Sequence, residues 1–155
     1  QVRIRSTKRG RPKTFSGAHV RSQPAMTNTF WDGIRKFKSY EFDSPNSPGS
    51  GINMSRDLVE ILDAMRGKIG LPLIITSGYR TKEDNERVGG VPASAHTRGL
   101  AVDVQCLTSS LRFTLIKLAI SNGIKRIGVG KDFIHLDLDP DLPQGVCWLY
   151  GEKQG

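Results

Sequence analysis

Two cysteines, Cys106 and Cys147, are all that the 155 residues contain, too few and too far apart for a disulfide scaffold or a C-x-x-C zinc module. Two buried thiols are expected, with a single disulfide as the alternative, and neither cysteine has a histidine at a spacing that marks a nucleophile. Long apolar runs are missing as well. None nears the roughly 20 residues that cross a bilayer, so no membrane span is expected. The stretch QVRIRSTKRGRPK lacks the apolar core of a secretory signal, which leaves a signal already removed or none at all. Acidic residues are scarce at one end: residues 1–38 hold ten Lys or Arg against one acid, Asp32, while residues 39–155 hold thirteen against fourteen. The whole formal charge of +8 therefore belongs to the first quarter, as expected of a neutral domain behind a basic arm that seeks an anionic surface.

The length allows one domain with a real core. Residues 1–29, rich in Arg, Lys, Ser, Thr, Pro and Gly, read as an arm that is extended or disordered unless docked, and residues 30–155 as the folded domain. FWDGIRKFKSYEF (30–42) brings back aromatics where the chain meets the fold, and SPNSPGSG (44–51) is a loop. Leu58, Ile61, Leu62 and Met65 then recur at helical spacing behind a Ser55 N-cap, with Gly67 and Gly70 closing the segment. LPLIITS (71–77) reads as a buried strand ending in the turn SGYR. A short helix is expected over 81–88, with Thr81 and Asp84 spaced as a capping box, and GGVPAS (89–94) must be an ordered loop. Thr108 to Gly123 is an amphipathic helix with Leu111, Leu115, Leu118 and Ala119 as its apolar stripe. RIGVG (126–130) and FIHLDLD (133–139) form a closing antiparallel hairpin. The sum is an α+β domain, a small mixed or antiparallel sheet with flanking helices.

Chemistry concentrates in two stretches. In SAHTRGLAVDV (94–104), His96 precedes Asp103 by seven residues, and strand alternation turns Leu100, Val102 and Val104 one way and Ala101, Asp103 and Gln105 the other. In FIHLDLD, Phe133, His135, Asp137 and Asp139 share a face opposite Ile134, Leu136 and Leu138. His96, Asp103 and His135 are either three separate hydrogen-bonded side chains or the ligands of one ion. Imidazole and carboxylate both suit zinc, and three protein ligands leave a fourth position for water, as in catalytic rather than structural sites. Asp139 and Asp141 are expected to be solvated. Tyr79 either lines the cleft or packs in the core.

The ordered series SGYRTKEDNERVGG, SAHTRGLAVDV and FIHLDLD resembles the D-alanyl-D-alanine carboxypeptidase family of zinc peptidases, which includes related cell-wall endopeptidases, in its compact, often C-terminal branch. The resemblance runs from about Phe37 to Leu138. Its most specific part is S-x-H-x-x-G-x-A-x-D, filled by Ser94, His96, Gly99, Ala101 and Asp103. It implies Zn2+ on His96, Asp103 and His135, and an Arg80 that reaches into the pocket to hold a carbonyl oxygen or a substrate carboxylate, where a guanidinium would stabilise developing charge. Relatives place an acid three residues before the last histidine, here Asp132, which would have to bend back over the metal from its turn to act as general base. Asp137 shares His135's face and could orient that ligand or take the proton itself. The implied substrate is a peptidoglycan stem or cross-link peptide, cut by a D,D-carboxypeptidase or an endopeptidase, with a phage lysis or entry factor as the setting. Cleft loops at 44–51 and 89–93 would set specificity. The hedgehog signalling domain has a similar zinc site without hydrolysis, so a non-catalytic zinc-binding module, or a nucleic-acid-associated structural protein with a vestigial peptidase domain, is the alternative. KRGRPK (8–13) also contains the R-G-R-P core of an AT-hook, whose arginines enter the minor groove of A·T-rich DNA. DNA, a wall polymer or a phage-particle protein are thus candidate partners for the arm, beside plain solubilising charge.

Overall fold

The computed structural model describes residues 29–151, so the expectations for the basic arm and for KRGRPK fall outside the described residues. The fold is α+β. Strands β1 (Ile75–Ser77), β2 (Ala101–Gln105), β3 (Arg126–Val129), β4 (Phe133–Asp137) and β5 (Val146–Leu149) form one sheet in the order β1-β2-β4-β3-β5. All neighbours are antiparallel except β3 and β5, which run parallel. Helices α1 (Arg56–Ile69), α2 (Lys82–Arg87) and α3 (Ser109–Ser121) complete the regular structure, with single 3-10 turns at Phe30–Gly33, Ser39–Phe42, Ser50–Asn53 and Ala95–Arg98.

The helices begin and end where side-chain chemistry allows. Ser55 Oγ accepts the Leu58 N–H and Thr108 Oγ1 accepts the Leu111 N–H, each capping a first turn whose N–H groups lack helical partners. Gly70 closes α1 with a left-handed φ of 69°. Leu58, Val59, Leu62 and Met65 of α1 and Leu115 and Ala119 of α3 are buried in one core with Val102, Val104, Ile127, Ile134 and Leu136 of the sheet. Truncating any one of the large members to Ala would cost roughly 2–5 kcal/mol. Phe37 and Phe42, from the segment that enters the fold, join the same core. The alternation read in β2 and β4 follows: one face feeds this core and the other carries the polar residues.

Four expectations change. LPLIITS is not a buried strand: Leu71 and Ile74 are exposed, only Leu73 is buried, and the strand shrinks to Ile75–Ser77 at the edge of the sheet. Pro72 has no N–H to give a ladder, and an edge strand needs only one paired side. The hairpin of β3 and β4 forms, but it does not end the fold, because β5 follows and pairs with β3. Cys106 is buried as expected, whereas Cys147 lies exposed on β5; both are free thiols, not a disulfide. The capping box at α2 is half formed: Thr81 Oγ1 accepts the Asp84 N–H, but the Thr81 N–H goes to Ser44 Oγ, and Asp84 accepts from Ser44 and Asn46 instead. No helix among the described residues is long and apolar enough to cross a membrane.

Candidate metal centre

The polar face of the sheet brings the sequence's two chemical stretches together. Asp103 on β2 lies directly opposite His135 on β4, and the Ala95–Arg98 turn delivers His96 to the same place. Ser94 shapes that turn by accepting the His96 N–H at its Oγ. Gly99 ends it for two reasons. Its φ of +68° is left-handed, and a Cβ there would stand 2.2 Å from the Asn53 carbonyl oxygen. The small Ala101 faces Asp137 across the ladder. SGYR grips the turn from the other side: the Gly78 carbonyl takes His96 Nδ1 at 2.9 Å, and the Arg80 N–H donates to the His96 carbonyl.

One ligand atom from each of His96, Asp103 and His135 lies within 4.8 Å of the other two. Donors at about 2.1 Å from a tetrahedral zinc stand roughly 3.4 Å apart, so small side-chain rotations complete the set. The tautomers suit it. Asp103 Oδ1 meets His135 Nδ1 at 2.9 Å and its Oδ2 stands 3.5 Å from His96 Nε2. The far nitrogens are anchored, His96 Nδ1 on Gly78 and His135 Nε2 on Asp137 Oδ2 at 2.7 Å. An imidazole with one nitrogen held by an acceptor and the other aimed at a shared point is the arrangement of a metal-ligating histidine. Two nitrogens and a carboxylate oxygen form a donor set that fits zinc.

Charge follows the geometry. Burial pushes the Asp103 carboxyl up, but hydrogen bonds from His135 and His96 outweigh it and hold the group below the ordinary carboxylate range. For Asp137, burial is again outweighed, by the His135 bond, the Asp139 N–H and the nearby Arg126 charge. Burial works to lower the His135 pKa, yet its bonds to Asp103 and Asp137 raise it. Asp137 is only 2% exposed and accepts from Arg126 Nε at 2.7 Å and from the Asp139 N–H. A chain Arg126 to Asp137 to His135 to Asp103 thus runs across three strands.

A cavity of about 710 Å³ opens on this cluster, lined by Arg80, Asp103, His135, Asp137 and the 89–96 segment among others. The structure brings His96, Asp103, His135, Asp137 and Arg80 together there. Asp132 is exposed in the turn between β3 and β4, where the sequence placed it; its carbonyl accepts the Cys106 N–H, and it does not line the cavity, although the adjacent Phe133 does. Residues 44–51 do not line this cavity either, while 89–93 do. Asp139 is fully buried and paired with Arg98, not solvated; Asp141 is exposed. Tyr79 packs against the core.

Trp148 and Tyr150 were not foreseen. Strand register puts Trp148 beside Gly128 and hence on the face of His135, and the two rings lie 5.5 and 6.1 Å from the imidazole. Gly128 makes this possible, since a Cβ there would stand 2.4 Å from the Tyr150 ring. Burial raises the Tyr150 pKa, so the hydroxyl remains a proton donor. The alternation of VCWLY was the available signal, but nothing local says that it pairs with β3. Arg126, stacked on Trp148 at 5.1 Å, escaped for the same reason.

A search of curated proteins returns no match for the chain. A family model described as peptidase M15 matches residues 36–137, a span that holds the SGYR turn, all three candidate ligands and Asp137. Peptidases of this family are zinc-dependent, in keeping with the His-Asp-His cluster. With two thirds of its length matched and the ligand-bearing strands inside the match, the chain belongs to the peptidase M15 family and is a metallopeptidase by that membership.

Proposed function

We propose that the protein is a zinc peptidase that hydrolyses a stem or cross-link peptide of peptidoglycan. The observation that supports this most is the convergence of His96, Asp103 and His135 at the floor of an open cavity large enough for a short peptide. Zinc bound there supplies Lewis acidity and acidifies a coordinated water. The chain's residues do the rest. His96, Asp103 and His135 hold the ion. Asp137 orients His135 through its Nε2, and Asp132, in the turn just before β4, is the carboxylate assigned to take the proton of the attacking water. Arg80 meets the oxygen on which negative charge develops.

The narrow, largely apolar wall at Gly89–Ala95, all small residues and Val or Pro, suits the small side chains of such peptides. A compact peptidase with a basic arm suits a bacteriophage lysis or entry factor, and the arm's charge suits an anionic partner such as DNA, a wall polymer or a particle protein. Metal analysis followed by incubation with purified peptidoglycan tests the reading. One zinc per chain and new amino termini by mass spectrometry are expected. Zinc without cleavage would replace the peptidase by a non-catalytic zinc-binding module, and cleavage that survives His135→Ala would remove the proposed mechanism.

A further inference from the structure

Among the described residues three arginines line the cavity, and two of them are neutralised. Arg98 pairs with Asp139 and Asp141, and Arg126 with Asp137. Arg80 is held otherwise: its Nη1 donates to Asn85 Oδ1 at 3.1 Å and its Nη2 to Ser77 Oγ at 2.9 Å. Among the described residues no carboxylate forms an ion pair with it. Neutral acceptors fix the direction of a guanidinium without cancelling its charge, which stays available to an anionic oxygen in the cavity.

Asn85 does more than accept. It is 4% exposed, fixed in α2 by the bond from its N–H to the Thr81 carbonyl, and its own carbonyl takes the Gly90 N–H at 2.8 Å. Its Nδ2 donates to the Val91 carbonyl at 2.9 Å. One amide therefore joins the arginine to the 89–94 segment that walls the cavity. Gly90 leaves the space it needs, since a Cβ there would fall 2.1 Å from Asn85 Oδ1. Few side chains could substitute. Aspartate would neutralise Arg80 and could not donate to Val91, leucine offers neither bond, and serine is too short to span both partners.

We propose that Asn85 is a positioning residue that holds Arg80 un-neutralised toward the cavity and locks it to the 89–94 wall, with Ser77 supplying the second bond. The inference rests on the proposed peptidase reading in giving Arg80 a substrate oxygen to meet.

Two readouts on the zinc-loaded full chain test it. In nitrogen-15 NMR, the Arg80 guanidinium N–H signals should exchange slowly in the wild type and be lost in Asn85→Ala, while those of Arg126 persist; unchanged Arg80 signals overturn the proposal. In kinetics, N85A should lose roughly 100-fold in kcat/KM, mostly in kcat, the scale of an ångström of misplacement at a site. The same substitution on an R80A background should lose nothing further, and an equal loss on both backgrounds overturns the proposal, because it would mean Asn85 acts independently of Arg80. Ser77→Ala, at the edge strand, removes the other bond and is read the same way when N85A does not fold. If the wild type cleaves no peptidoglycan the peptidase reading fails, and the NMR comparison still decides whether Asn85 holds Arg80.

Discussion

Gly99→Ala tests the link between local backbone and metal centre most directly. The alanine must adopt φ near +68°, which costs roughly 1–2 kcal/mol for an L-residue. Its Cβ would also lie 2.2 Å from the Asn53 carbonyl oxygen and 3.0 Å from Met54 Cα. Those atoms are backbone and cannot swing aside, so the chain must shift, and overpacking of this kind costs about 1–3 kcal/mol. The lower entropy of the unfolded alanine chain offsets about 0.4–1 kcal/mol. The net loss is therefore roughly 2–4 kcal/mol, or about 8–16 °C in Tm for a domain of this size. The shift cannot stay local. Gly99 accepts the Ser55 N–H at 2.8 Å and donates to the His96 carbonyl, so relief of the clash displaces a ligand, and zinc affinity should fall as well. Urea titration of the apo chain and a competitive zinc titration measure the two effects. A variant within about 0.5 kcal/mol of wild type, the range of an ordinary surface substitution, with unchanged zinc affinity would refute the account of why this position is glycine.

Replacing His135 by Ala, or chelating the metal, should take zinc stoichiometry from one to near zero and abolish hydrolysis, with restoration on adding zinc only to the chelated wild type. Arg126→Ala leaves Asp137 buried without its cation; breaking such a pair costs about 3–5 kcal/mol, and loss of support behind His135 should weaken zinc binding roughly 10–100-fold, both readable in the same titrations. Asp132→Asn should lose about 100-fold or more in kcat with zinc stoichiometry unchanged, whereas Asp137→Asn, which alters the group that holds His135 Nε2, should weaken zinc binding roughly 10–100-fold; the opposite pattern would transfer the base's role to Asp137. Hydrogen bonds from Ser44 and Asn46 lower the Asp84 pKa to about 2, below the usual carboxylate value of about 3.9. A depressed folded pKa means that this stabilisation is complete above the ordinary value and disappears as pH falls through about 2. Ser44→Ala should thus be less stable than wild type at pH 7, with urea midpoints that converge near pH 2; a gap that does not narrow would exclude the ionised carboxylate as its source.

Much of the scaffold could be read from neighbours along the chain. Ser55 and Thr108 cap the two long helices because a hydroxyl next to a first turn has an N–H to accept, and period-2 alternation put Asp103 and His135 on the non-core face of their strands. What failed depended on partners distant in sequence. Asp139 looked solvated until Arg98 closed over it. LPLIITS looked buried because it is apolar, yet β1 sits at an edge and much of that segment faces outward. Asp132, by contrast, lies in the turn before β4, where its offset from Gly130 and His135 put it.

By itself the amino-acid order determined the identity of the three candidate ligands, the glycine that must bend between two of them, and the family to which this combination belongs. Each is a matter of residue type at short fixed spacing, which backbone stereochemistry turns into a local shape. Only the tertiary structure decided that β5 lies parallel to β3, that the rings of Trp148 and of Tyr150 just after it lie beside Gly128 and His135, and that Arg126 and Asn85 hold Asp137 and Arg80 in place. Those contacts arise from strand register and from the packing of segments far apart in the chain, and neither is encoded in any one stretch of it.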